Sequence, residues 1–160
     1  MSLSLDPTQL SWVVIGAGAV ATRRVETLLD AGAKVSVVAA KLSEGFERLR
    51  RSRSEDLTVA VRDCVREDFD GANFVVIAVS DRTVAARLTE EARSQGALVC
   101  CATEAALGSV AFPALFTFDD MTVSVSSAGR DPRRARLLRD FLRAAIERDA
   151  SVQPQRASAE

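Results

Sequence analysis

The chain has no histidine and only three cysteines, and no apolar run in it approaches the length of a membrane span. Each scarcity excludes something. Without imidazole, the commonest metal ligand and the usual acid/base group near neutral pH are both missing. Chemistry therefore has to rest on carboxylates, hydroxyls, arginines, backbone amides and a bound cofactor, and no metal site is assigned. Cys64, Cys100 and Cys101 form neither a C-x-x-C pair nor an even framework, and adjacent cysteines bridge each other only under strain. All three read as buried thiols of a reducing compartment. A spanning helix needs about 20 successive apolar residues, and residues 1–10 lack the basic and apolar regions of a secretion signal. The expectation is a cytoplasmic protein with no membrane partner. Charge of one sign is lacking too: 21 basic side chains face 22 acidic ones, so no overall field draws the molecule to nucleic acid.

What the sequence does contain is alternation. Its 160 residues, 48% of them apolar, suit one globular domain with a short appendage. Trp12-Val13-Val14-Ile15 is a continuous apolar run ending in glycine, the pattern of a strand buried on both faces of a parallel sheet. Over 19–31 the apolar positions recur at helical spacing and Gly32 supplies the stop, after which 33–39 reads as a second buried strand. A helix over 42–51, strands over 57–61 and 73–79, a helix over 83–94 and a strand over 97–101 follow. This order predicts an α/β fold with a doubly wound parallel sheet, the Rossmann fold. Past Pro113 the character changes: 121–127 alternates as an exposed or paired strand does, and Asp131-Pro132 opens an arginine-rich helix with an N-cap and a first-turn proline. Leu138, Leu142, Ala145 and Ile146 share one face of that helix, widened by Leu137 and Phe141, and that face needs a partner. The expected organisation is a dinucleotide-binding domain over 1–113, a strand-helix dimerisation segment over 114–150 and a disordered tail over 151–160.

Gly16-Ala17-Gly18-Ala19-Val20-Ala21 is a G-x-G-x-x-A turn between the first strand and the first helix. In such a turn Gly16 permits the sharp bend, Gly18 lets the backbone approach a pyrophosphate, and Ala21 allows the helix to pack closely on the sheet. Free amides at the helix start, at Ala19 and Val20, then face the phosphates. A tight turn without ligand is the plainer alternative, but it does not require this spacing. The ribose carboxylate usual for NAD is missing at the end of the second strand, where Val38-Ala39-Ala40-Lys41 stands. Arg23, Arg24 and Lys41 suit either a 2′-phosphate or ordinary solvation, so these residues leave both NAD and NADP open.

Val13 to Arg24 and Leu28 to Ala39 together resemble the start of the precorrin-2 dehydrogenases, the N-terminal module of siroheme synthase. Ala78-Val79-Ser80-Asp81 is similar to that family's Ala-Thr-Asp-Asp turn, Phe112-Pro113-Ala114 to its Phe-x-x-Pro corner, and Ser126-Ser127-Ala128-Gly129-Arg130-Asp131-Pro132 to its Ser-x-Gly-Gly-x-Ser-Pro turn. The resemblance implies a homodimer that oxidises the tetrapyrrole precorrin-2 to sirohydrochlorin with NAD. It also implies cofactor contacts at Gly16, Ala17, Gly18, Ala19, Val20, Ala39, Ser80 and Asp81. Cys101-Ala102-Thr103-Glu104 stands where the family has Asn-Val-Val-Asp, so Glu104 takes the place of its catalytic aspartate. Ala85 replaces a family asparagine.

Oxidation of this kind removes a hydride to nicotinamide and a proton to a base, and Glu104 is the candidate base. A solvent-exposed loop glutamate is the alternative. Ser127 and Arg130 are the candidate substrate contacts, since guanidinium forks pair well with a polycarboxylate. Arg134 and Arg136 read as solvated helix charges. A non-catalytic dinucleotide sensor or partner subunit, and iron insertion into sirohydrochlorin, remain as other functions of the same framework.

Overall fold

The computed structural model describes residues 4–119 and 121–149; the tail expected over 151–160 lies outside them. The chain divides into two compact units, Met1–Ala111 and Phe112–Glu160.

In the first unit, four-residue strands β1 (Trp12–Ile15), β2 (Val35–Val38), β3 (Leu57–Ala60), β4 (Phe74–Ile77) and β5 (Leu98–Cys101) form one sheet in the order β3-β2-β1-β4-β5. Every pairing in it is parallel. Helices α1 (Ala19–Asp30), α2 (Glu44–Ser52) and α3 (Arg82–Ser94) make the crossovers. This is the doubly wound α/β fold expected from the alternation. Because β1 is central, the chain steps from it to β2 on one side and later returns to β4 on the other. Such a reversal marks the carboxyl ends of β1 and β4 as the place where open sheets of this kind bind ligands.

Both sheet faces are apolar because neighbouring strands are in register and side chains alternate. Val13, Ile15, Val75, Ile77, Val99 and Cys101 form one buried cluster with Ala85, Leu88 and Ala92 of α3. On the alternate positions Val14, Val37 and Val76 are buried, while α1 contributes Ala21, Val25, Leu28 and Leu29, and α2 contributes Phe46 and Leu49. Trp12 stacks on Phe74, its partner in register, at 4.5 Å between ring centroids. Its indole N–H donates to the Pro7 carbonyl at 3.0 Å. Cys100 and Cys101 are buried, but Cys64 is only half-buried. Sitting in a loop beyond β3, it lacks the two-sided cover that β5 gives the other two.

The second unit is an antiparallel hairpin of β6 (Ala114–Phe118) and β7 (Met121–Val125), followed by α4 (Pro132–Arg148). The sequence predicts one strand and a helix here. The additional strand β6 carries Leu115, Phe116 and Phe118 but follows directly on a proline and turns through residues with no glycine, so it gives no boundary signal. Asp131 caps α4 as expected, its carboxylate accepting from the Arg134 amide at 2.9 Å. The helix packs against both hairpin strands. Its apolar face is displaced from the expected one: Ala135 is buried and Leu142, Ala145 and Ile146 are half-buried, whereas Leu138 is 47% exposed and Leu137 and Phe141 are each 63% exposed. Among the described residues no helix is long and apolar enough to cross a membrane.

Candidate functional site

The carboxyl ends of the parallel strands bring four sequence segments to one rim. Gly16 to Val20 leave β1, Ala39 follows β2, Ser80 and Asp81 follow β4, and Glu104 follows β5. The backbone ladder runs one residue past the strands along this rim. The Gly16 amide donates to Val38 at 2.9 Å, the Ala78 amide to Ile15 at 2.8 Å and the Ala102 amide to Ile77 at 2.8 Å. The rim is therefore rigid where a ligand would lie against it.

Gly16 and Gly18 have different physical reasons to be glycine. Gly16 has φ +108°, and a Cβ built on it would stand 2.5 Å from the Ala78 carbonyl oxygen. Neither the conformation nor the space admits a side chain. Gly18 is in extended backbone at φ −81°, and a Cβ there would meet nothing within 4 Å. Its glycine is not required by the fold, so the free space above it is what the turn gains. No side chain caps α1, which leaves the first helical amides, including those of Ala19 and Val20, directed into that space with the positive end of the helix dipole. Gly18, Ala19 and Val20 are exposed, whereas Ala17 and Ala21 are buried. Thr22 holds the turn from below, its hydroxyl donating to the Gly18 carbonyl at 3.0 Å. An open space over unpaired amides fits a diphosphate.

Ala39 is buried, and its backbone is fully used: its amide donates to Ala60 at 3.1 Å and its carbonyl accepts from Arg62 at 3.1 Å. It can offer a cofactor only an apolar contact. Arg23 and Lys41 are exposed. Arg24 is not the solvated charge that its sequence allows: it is half-buried, and burial lowers its guanidinium below the ordinary arginine range. Ser80 is exposed. Asp81 is the N-cap of α3, one carboxylate oxygen accepting from the Val84 amide at 3.0 Å.

Glu104 stands at the head of a short 3-10 turn, Ala105–Leu107, without capping it, and is half-buried. Its carboxylate has no hydrogen-bond or ion-pair partner among the described residues. Its carboxylate lone pairs are therefore open to a ligand at the rim after β5. The residue before it, Thr103, donates its hydroxyl to the Val79 carbonyl. Sequence patterning contains no signal for this bond, because it depends on β4 and β5 being neighbours.

In the second unit, Ser127 and Arg130 lie in the turn before α4. The Ser127 hydroxyl accepts from the Asp131 amide at 2.9 Å, and its carbonyl accepts from both the Arg130 amide at 3.1 Å and Arg130 Nε at 3.2 Å. Ala128, at φ 53°, and Gly129, at φ 78°, make the bend. The turn thus fixes the base of the Arg130 guanidinium, and its two terminal nitrogens have no partner among the described residues. With Ser126, Asp131 and Arg134, the two residues line a shallow groove.

A family model described as NAD(P)-binding matches residues 3–114. The siroheme synthase of Ectopseudomonas mendocina (strain ymp) is 38% identical over 127 residues, which are 79% of this chain and 27% of that protein. The chain therefore spans about a quarter of the length of the siroheme synthases it matches. The precorrin-2 dehydrogenase of Bacillus subtilis (strain 168) is 28% identical over 152 residues, covering 93% of this chain and 89% of that protein. Among solved structures, that of SirC, precorrin-2 dehydrogenase, superposes with a TM-score of 0.71 at 25% identity, over 91% of this chain and 70% of that one.

Proposed function

Because the chain belongs to the NAD(P)-binding family whose model spans residues 3–114, we propose that it is a precorrin-2 dehydrogenase. In this reading precorrin-2 loses a hydride and a proton and leaves as sirohydrochlorin, on the route to siroheme. The observation that carries the reading is end-to-end likeness to the Bacillus subtilis precorrin-2 dehydrogenase, 89% of which is covered. The siroheme synthases match over a fraction of their length, so they point to the same module.

NAD, when bound, supplies the hydride acceptor. The chain's own residues bind and orient. Gly16 and Ala17 shape the turn, and Gly18, Ala19 and Val20 offer backbone to the pyrophosphate. Ala39 gives an apolar wall, and Ser80 with the second carboxylate oxygen of Asp81 offers polar contacts at the rim after β4. Glu104 receives the proton released as the hydride departs. Within the second unit, Ser127 and the terminal nitrogens of Arg130 offer a carboxylate contact of their own.

The molecule acts in the cytoplasm as a homodimer. Support for the dimer comes from Leu137, Leu138 and Phe141, which leave an apolar strip of α4 largely in solvent.

The test is turnover: the protein is incubated with precorrin-2 and NAD while reduced cofactor and the tetrapyrrole spectrum are followed together. Stoichiometric appearance of reduced cofactor and sirohydrochlorin is expected. Cofactor binding without either change contradicts the reading.

A further inference from the structure

We propose that Thr103 is a positioning residue, whose hydroxyl bond to the Val79 carbonyl sets where the Glu104 carboxylate stands relative to the glycine turn. The inference rests on the reading of Glu104 as the base.

The regular ladder between β4 and β5 ends with the Ala102 amide on the Ile77 carbonyl at 2.8 Å. Beyond that bond one more link joins the two loops, from Thr103 Oγ1 to Val79. The segment it holds is the one Gly16 approaches, since a Cβ on Gly16 would lie 2.5 Å from the Ala78 oxygen and 3.5 Å from the Val79 amide nitrogen. Residues 78 and 79 are thus bonded to β1 through the Ala78 amide on the Ile15 carbonyl, lie against the glycine turn, and are held by Thr103 on the other side. Glu104 is the next residue along and has no side-chain partner of its own among the described residues.

The far end of the same loop is anchored independently. Ser109 and Val110 donate their amides to the Val99 carbonyl at 2.8 and 3.2 Å, and the Val99 amide donates to the Ser109 hydroxyl at 2.9 Å. Gly108 lies so close to β5 that a Cβ on it would be 2.7 Å from the Val99 oxygen. These contacts hold the return of the loop along the sheet edge whether or not Thr103 bonds. Loss of the Thr103 hydroxyl therefore frees the Glu104 end while the fold stays closed.

Four variants of the full chain test this: Thr103→Val, Thr103→Ser, Glu104→Gln and the double Thr103→Val/Glu104→Gln. Each is assayed with precorrin-2 and NAD for kcat and KM, and each is melted. Thr103→Val, of equal shape but without a donor, is expected to lower kcat by roughly 10- to 100-fold, the scale of a misplacement near 1 Å, with the KM for NAD and the melting temperature close to those of the parent. Thr103→Ser restores kcat to within about twofold, because it keeps the donor. The double variant is no slower than Glu104→Gln alone, since a residue acting through Glu104 has nothing left to position. Parent-like kcat in Thr103→Val beside an impaired Glu104→Gln overturns the positioning role and leaves the base in place. So does a double variant that loses the full product of the single effects. Parent-like kcat in Glu104→Gln overturns the base itself, and the role of Thr103 falls with it.

Discussion

The position a Cβ on Gly16 would take lies 2.5 Å from the carbonyl oxygen of Ala78. The first βα turn and the loop after β4 are therefore in backbone contact, with no side chain between them. Gly16→Ala meets two penalties at once, a φ of +108° and a clash with main chain that the ladder bond from Ala78 to Ile15 holds in place. A non-glycine residue in such a conformation costs about 1–3 kcal/mol, and the clash adds to it. Denaturant unfolding should show a loss of at least that size; a variant as stable as the parent would mean that the turn relaxes freely.

Asp68 makes a pH dependence legible. Its carboxylate accepts from Arg62 at 2.5 and 2.7 Å and from the Val65 amide at 2.8 Å. The Arg62 hydrogen bond is the largest influence and, with the Val65 amide, holds the carboxyl below the usual range against the opposing effect of burial. A lowered native pKa stabilises fully above the unfolded value of about 3.9 and is lost as pH falls through the native one. Asp68→Asn should cost about 1 kcal/mol at neutral pH, discounted because Arg62 is half in solvent. That difference should close progressively below pH about 4. Parallel stability curves for parent and variant down to the lowest pH would refute the assignment.

On α4, Leu137 and Phe141 are each 63% exposed. If they face a second copy, Leu137→Glu together with Phe141→Glu places charge in a desolvated interface and should convert the dimer to monomer in sedimentation. The melting of the Rossmann unit should be unaltered. A double variant that sediments as the parent does removes the helix from the interface.

The parallel sheet is readable from sequence because its strands are buried on both faces and so are written as short unbroken apolar runs, as at Val13 to Ile15 and Val75 to Ile77. The strands proved shorter than their apolar windows, since Val79 and Ala39 already belong to the rim. The hairpin strand Ala114–Phe118 was not readable, being one-sided and unmarked by glycine. In the site, Gly16 and Gly18 were recognisable by spacing, as was the need for open backbone at Gly18, but the close approach of Gly16 to the Ala78 carbonyl exists only in three dimensions. Thr103 had no signal at all: its partner is 24 residues away in sequence and becomes a neighbour only through strand order. Ala85, set by the resemblance against a family asparagine, is completely buried in the α3 cluster, where an amide would need a partner.

Calorimetric titration of NAD into the parent and into Gly18→Val tests the central claim most directly. Nothing lies within 4 Å of the new side chain's first atom and its backbone is extended, so the variant should fold and unfold as the parent does. The methyl groups would nevertheless stand in the space above the helix amides. Binding to the parent, with affinity weakened at least about tenfold in a stably folded Gly18→Val, is the predicted result, a difference of about 1.4 kcal/mol. A parent that takes up no NAD, or a variant that binds it as tightly, would contradict the account.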